Sequence, residues 1–267
     1  MNILVIGGGN MGKTFAQSFL KAKVIQKEQL FLLEKDKLKV DILNQHNIGI
    51  ARCDFDHYIS EMSIIILAVK PQDIKDVYHN LQPFVHDEQI IISIMAGVKM
   101  QTIQEELRIS RIIRAMPNLP CQVGEGFTAY AASELVPEND LAFIKLLFDT
   151  TGMSIQVSKE SNLDAITALS GSGPAYVFYF MQAMIEESLQ LGFDYEESLQ
   201  ITTQTFLGSV ELLKKNNISC KQWIERVASK GGTTEAALKV FNSKEIEKSI
   251  GEGIAAAYLR AKELSGQ

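Results

Sequence analysis

Over roughly the first 160 residues, hydrophobic positions fall into short unbroken runs parted by amphipathic stretches. Ile3-Leu4-Val5-Ile6, Gln29–Leu33, Ser63–Val69, Ile90–Ile94 and Arg111–Met116 are such runs. Without polar alternation, they predict strands of a mostly parallel sheet covered on both faces. Ile48–Ala51, Gly126–Ala131 and Ser154–Val157 predict shorter strands. Between the first two strands, Met11, Phe15, Phe19 and Leu20 recur at helical spacing, and Leu38–Asn44 and Leu141–Phe148 predict further helices. From about Leu163 the period changes, and Tyr176–Leu191, Tyr195–Lys215, Cys220–Ala228, Glu235–Phe241 and Ile246–Leu264 carry helical periodicity alone. The pattern therefore predicts an α/β domain over 1–160 and an all-α domain over 161–267, divided by the change of period and not by a linker.

The first run passes directly into Gly7-Gly8-Gly9-Asn10-Met11-Gly12, with a helical pattern behind it. Strand, glycine turn and helix in this order make a dinucleotide-binding fold of Rossmann type. Gly7 allows the tight turn out of the strand, Gly9 lets backbone approach a pyrophosphate, and Gly12 lets the helix pack close to the sheet. Gly7, Gly9 and Gly12 thus place a pyrophosphate at the head of this helix, where free N–H groups and the helix dipole favour negative charge. The second strand ends at Glu34, where such folds read the adenine ribose. A carboxylate there favours the free 2′-hydroxyl of NAD, whereas Lys35 and Lys37 favour the extra phosphate of NADP, and the local residues leave both open. Ala68, Val69, Lys70 and Pro71, and then Ala96 and Gly97, follow later strands and belong on the same ligand-binding edge.

Composition narrows the partners. The 267 residues are 46% hydrophobic and 22% charged with a formal net charge of −6, which excludes disorder and offers no basic face for nucleic acid. Three scattered cysteines contain no CxxC pair, so neither a metal site nor a disulfide framework is expected, and a cytoplasmic setting is. No run is long enough for a membrane span. In the helical part, Ala175–Ile185 is apolar on more than one face, which predicts burial against a second copy in a two-fold dimer. Packing does not explain two other stretches there. Ala168-Leu169-Ser170-Gly171-Ser172-Gly173-Pro174-Ala175-Tyr176 sets glycines and small residues before a proline suited to the first turn of a helix. Ser229-Lys230-Gly231-Gly232-Thr233-Thr234-Glu235 sets a glycine pair and hydroxyls at a helix start, either a seat for a carboxylate or a capping box closed by Glu235.

Together these motifs closely resemble the pyrroline-5-carboxylate reductase family. The resemblance is carried by Gly7–Gly12, Ala68–Pro71, Ser93–Val98, Arg114–Asn118, Ser170–Tyr176 and Ser229–Thr234, and so runs the length of the chain. It implies reduction of L-1-pyrroline-5-carboxylate to L-proline by NADPH, with NADH as the alternative donor. It further implies that Gly7, Gly9, Asn10, Met11 and Gly12 hold the pyrophosphate, with Ile6 among the cofactor-binding residues, that Ala68–Pro71 line the adenosine side and lie toward the nicotinamide, that Ala96-Gly97 lie beside the reactive ring, and that Ser229, Gly231, Gly232, Thr233 and Thr234 hold the substrate. Interlocked helical domains in a dimer, stacked in some members into a ring of dimers, belong to the same implication. A cyclic imine can take its proton from solvent before hydride arrives, so no dedicated acid–base residue is expected; Thr234 is assigned to orient the ring nitrogen, and His46, His57, His79 and His86 to the solvated surface. The competing reading is a non-catalytic, nucleotide-sensing regulator on the same fold.

Overall fold

Eight strands form one sheet in the order β3-β2-β1-β4-β5-β6-β7-β8 in the computed structural model, which describes residues 1–266. They are β1 (Ile3–Ile6), β2 (Leu30–Leu33), β3 (Ile50–Arg52), β4 (Ile64–Leu67), β5 (Ile90–Ser93), β6 (Ile112–Met116), β7 (Gly126–Ala132) and β8 (Gly152–Gln156). All neighbours pair in parallel except β6 and β7, which run antiparallel with Ile113 opposite Ala132 and Met116 opposite Ala129. The order 3-2-1-4-5-6 is that of the doubly wound dinucleotide fold. β1 pairs in register with β2 and β4, Ile3 beside Leu30 and Ile64, so all three strands end on one edge. Every residue of β1, β4 and β5 is buried, as expected for strands covered on both faces.

Helices α1 (Asn10–Lys21), α2 (Lys37–Gln45), α3 (Ile74–Leu81), α4 (Met100–Leu107), α5 (Glu138–Asp149) and α6 (Asn162–Ile166) cover the sheet. One core cluster joins Ile3, Val5, Phe15, Phe19, Leu32, Ile66, Tyr130 and Phe148, and the other joins Leu4, Ile6, Ile65, Leu81, Ile91 and Ile112. Alternate residues of β1 and β4 thus feed opposite faces, which is the strand period of two expressed as two cores. Asp36 caps α2 by accepting from the Leu38 N–H. The short helix α3 was not singled out by the sequence pattern; Ile74, Val77, Tyr78 and Leu81 are its buried stripe.

The remaining helices are α7 (Gly173–Gln190), α8 (Tyr195–Lys215), α9 (Cys220–Val227), α10 (Thr233–Ser243) and α11 (Ile246–Leu264). Pro174 lies in the first turn of α7, and a π-helical turn over Thr167–Gly171 leads into it. Two compact units result, one of Met1–Ser172 with the segment from Ala257 onward, the other of Gly173–Ala256. The compact units divide at Ser172, and the segment from Ala257 onward packs with the sheet unit. The reason is packing: Leu163 of α6 is fully buried in a cluster with Met116, Ala129 and Ala131, so the first helical residues still cover strands.

Candidate active site

A cleft of about 580 Å³ opens at the carboxyl ends of β1, β2 and β4. Of the residues expected to hold a cofactor, Ile6, Gly7, Gly9, Glu34 and Lys35 line it, as do Ala68, Val69 and Lys70. Asn10, Met11, Gly12, Pro71, Ala96 and Gly97 lie outside its lining. Asn10, Met11 and Gly12 form the first turn of α1 behind the N-cap Gly9, which caps with no side chain. Their N–H groups precede the first intrahelical donor, Lys13, and so remain without intrahelical acceptors. Pro71 opens a 3-10 turn beside the cleft, and Ala96 and Gly97 follow the end of β5, which pairs with β4.

The three glycines answer to different demands. Gly7 has φ +108°, and a Cβ there would stand 2.6 Å from the Ala68 carbonyl oxygen. Gly12 packs so closely under the turn that a Cβ would collide with the Gly7 carbonyl oxygen. At Gly9 a Cβ would meet no protein atom within 4 Å, so no neighbour in the chain requires a glycine there. The open space at the head of α1 is a cradle that a side chain would begin to fill, and it suits a pyrophosphate.

Glu34 does not belong to a solvated loop. It is 7% exposed, and its carboxylate accepts from the Gly8 N–H at 2.9 Å and from the Asp36 N–H at 3.1 Å. Each oxygen keeps further lone-pair capacity, and the residue lines the cleft. Lys35 and Lys37 are exposed, and Lys35 Nζ pairs with Asp73 Oδ1 at 3.1 Å. Its positive charge is therefore already met by a carboxylate that also lines the cleft. Lys39 and Asp76 complete a charge-balanced rim.

The second seat belongs to the helical unit. Gly232 is the N-cap of α10, no side chain caps that helix, and a Cβ at 232 would stand 2.5 Å from Ser229 Oγ. Glu235 does not close a capping box on Gly232; its carboxylate accepts from the Gly231 N–H instead, and its other oxygen pairs with Lys239. The N–H groups of Thr233 and Thr234, at the start of α10, have no intrahelical acceptor. Thr234 is half-buried, and Ser229, Lys230, Gly231 and Thr233 are exposed. Asn118 ties two other motifs together within the first unit: its Nδ2 donates to Ser170 Oγ at 3.1 Å, and its Oδ1 accepts from the Phe127 N–H at 2.9 Å. His46, His57, His79 and His86 are all exposed. The clearest titration shifts fall on Tyr58, pushed up to about 12 by burial, and on Tyr78, also raised by burial; neither lines the cleft. Among the described residues no group of three or more His, Cys, Asp or Glu is placed to hold a metal.

The chain is similar to known proteins over nearly its whole length. Residues 160–264 match the family model described as pyrroline-5-carboxylate reductase dimerisation, and residues 2–97 match NADP oxidoreductase coenzyme F420-dependent. The chain is 32% identical to the pyrroline-5-carboxylate reductase of Aquifex aeolicus, over 99% of this chain and 97% of that one. It belongs to the pyrroline-5-carboxylate reductase family. The Synechocystis reductase is 34% identical over 97% of both chains. Among solved structures, the pyrroline-5-carboxylate reductase of Coxiella burnetii has a TM-score of 0.90 at 34% identity, covering 99% of this chain and 98% of that one. The Plasmodium falciparum pyrroline carboxylate reductase, solved with NADP bound, has a TM-score of 0.89 at 28% identity with the same coverage. The chain pairs a dinucleotide domain with a helical dimerisation segment.

Sequence motifs pointed to the glycine turn, the strand ends and the Ser229–Thr234 helix start, and gave no sign of Asp73. Asp73 follows Lys70-Pro71-Gln72 in a 3-10 turn, and only the fold shows that it faces Lys35.

Proposed function

We propose that this chain is an NAD(P)H-dependent reductase that converts L-1-pyrroline-5-carboxylate to L-proline, the last step of proline biosynthesis. The observation that carries the reading is the pairing, in one family member, of two uncapped helix starts of complementary use: Gly9–Gly12 for a pyrophosphate and Gly232–Thr234 for a carboxylate. The cofactor, NADPH with NADH as the alternative, supplies hydride when bound. Gly7, Gly9, Asn10, Met11 and Gly12 would hold its pyrophosphate, Glu34 and Lys35 would meet its adenine ribose, and Ala68–Pro71 with Ala96 and Gly97 would line its path to the nicotinamide end. Gly9 supports this assignment because its missing side chain serves no packing need of the protein.

Ser229, Gly231, Gly232, Thr233 and Thr234 would grip the substrate carboxylate, with Thr234 orienting the ring nitrogen. Their task is to fix the imine carbon at a near-attack separation of roughly 3–3.5 Å from the hydride donor. The imine takes its proton from solvent, so the exposed histidines have no part in the chemistry. We assign the substrate-binding and dimerisation role to 161–267. Val177, Phe178, Tyr179, Phe180 and Met184 of α7 are 40% exposed or more, an apolar surface suited to a second copy. An interlocked dimer, open to stacking into a ring of dimers, is the proposed assembly. A cytoplasmic location agrees with three free cysteines. Among the described residues no helix is long and apolar enough to cross a membrane.

The test is the loss of reduced-nicotinamide absorbance with pyrroline-5-carboxylate, run in parallel with NADPH and NADH and coupled to detection of proline. Oxidation that yields proline is expected. Tight coenzyme binding without turnover of the imine would refute the reading and turn it to the nucleotide-sensing regulator.

A further inference from the structure

Arg114 is an anomaly in its strand. It stands in β6 between Ile113 and Ala115, is 1% exposed, and has a buried Nε with no hydrogen-bond partner. A buried guanidinium with an unmet donor is an expensive way to stabilise a sheet, and an apolar side chain of similar volume does that better. What Arg114 holds gives it a purpose. Its Nη1 meets Glu160 Oε1 at 3.3 Å, and that same oxygen accepts from the Met100 N–H, at the first turn of α4, at 2.8 Å. Its Nη2 meets the fully buried Asp164 Oδ1 at 3.1 Å, and Ser265 Oγ shares its one proton between Asp164 Oδ2 at 3.0 Å and the Lys262 carbonyl oxygen at 2.9 Å. One cation thus ties β6 to the start of α4, to α6 and, through Asp164, to the C-terminal turn.

The C-terminal turn has a second seat. Gly97 has φ +76°, and a Cβ there would stand 2.8 Å from the Leu264 carbonyl oxygen and 3.1 Å from its carbonyl carbon. The Leu264 peptide is therefore lodged directly on Gly97, in the loop between β5 and α4. Both ends of that contact are fixed by the same network: Glu160 anchors Met100, three residues beyond Gly97, and Asp164 anchors Ser265, next to Leu264.

We infer that Arg114 is a positioning residue for the reductase reaction: with the half-buried Glu160 and the buried Asp164 it forms a latch that seats the Leu264-Ser265 turn on Gly97 and so fixes the Ala96-Gly97 wall. The inference rests on the proposed reading that this wall lies beside the nicotinamide ring. The latch touches neither substrate nor cofactor, so it sets the alignment in which hydride moves and leaves binding of the imine carboxylate to the 229–234 seat. A loosened latch lowers the fraction of complexes in near-attack geometry, which appears in kcat before KM.

The experiment uses the full-length protein and three variants, Ser265→Ala, Ser265→Thr and Arg114→Lys. Ser265→Ala deletes one hydroxyl at the chain end and leaves the sheet core untouched. It is expected to raise backbone amide hydrogen exchange several-fold in peptides covering residues 95–100, with exchange in β1 and β4 unchanged, and to lower kcat by about fivefold to tenfold with KM for the imine within about twofold. Ser265→Thr keeps the hydroxyl and is expected to restore both. Arg114→Lys gives up the planar fork that reaches two carboxylates at once and is expected to exceed Ser265→Ala in both readouts. An active wild type whose Ser265→Ala variant matches it in exchange at 95–100 and in kcat would overturn the latch. So would a loss of kcat that follows a general rise in exchange across the sheet and is not rescued by threonine. A wild type inert toward the imine would instead overturn the reductase reading, and the exchange arm would still decide whether the network holds the 95–100 loop.

Discussion

Replacing Glu34 by serine gives a sharp test of how the cleft reads its coenzyme. The carboxylate is 7% exposed and pinned at the head of the cleft by the Gly8 and Asp36 N–H groups, so its charge cannot swing away from an incoming ribose. A 2′-phosphate about 5 Å from it, at an effective dielectric constant between about 20 and 80, is repelled by about 1–3 kcal/mol per unit of phosphate charge. Lys35, next to Glu34 in the chain, is paired with Asp73. Glu34→Ser should therefore raise the ratio of kcat/KM for NADPH to that for NADH by about tenfold to a hundredfold, since each 1.4 kcal/mol is a factor of ten. The variant also gives up two hydrogen bonds to a charged acceptor, but that loss falls on both coenzymes and cancels in the ratio. The assay is parallel steady-state kinetics with saturating pyrroline-5-carboxylate, together with coenzyme dissociation constants from quenching of protein fluorescence. Both should be repeated at low and high salt, where the shift should shrink as screening grows. A ratio that moves by less than about twofold, or toward NADH, would refute the assignment of Glu34 as the ribose-reading group.

Other variants probe the parts around it. Asp73→Asn frees Lys35 and should raise the NADPH to NADH ratio on its own by about twofold to fivefold, read by the same kinetics. Gly9→Ala and Gly12→Ala should separate binding from folding: the first should keep its melting temperature and weaken coenzyme binding about tenfold or more, while the second, driven against the Gly7 carbonyl, should lower stability by about 1–3 kcal/mol in denaturant titration. Thr234→Ala should leave the melting temperature unchanged and reduce kcat/KM for the imine by about tenfold, and unaltered turnover and affinity would remove Thr234 from the site. For Asp149, burial pushes the carboxyl upward, but hydrogen bonds from Lys145 and Ser154 outweigh it and hold the value below the ordinary one. A depressed folded value stabilises the protein above the unfolded value near 4 and is lost as pH falls through the folded one. Asp149→Asn should therefore be less stable than the wild type at pH 7, with the gap closing toward pH 3 in thermal unfolding.

How far the sequence alone reaches depends on the distance over which each feature is decided. Strand and helix identities were legible because they follow from neighbours a few residues apart: the apolar run Ile64–Leu67 makes a buried strand, and the spacing of Met11, Phe15 and Phe19 makes the face of α1. The glycine turn and the Ser229–Thr234 stretch were equally legible, since each is a local backbone device written in consecutive residues. The antiparallel entry of β7 was not, because a run of apolar residues carries no strand direction. Tertiary structure alone decided which charges are free. Glu34 and Lys35 are adjacent in the chain, yet one turns inward to Gly8 and the other crosses to Asp73, 38 positions away. Arg114 reads in sequence as one basic residue in a strand, and its meaning depends on Asp164 and on Ser265, which is 101 positions beyond Asp164. Periodicity and motif spacing record what a segment becomes; the partner that a buried charge finds is set by where distant segments return to the sheet, and that is determined only when the whole chain has closed around its core.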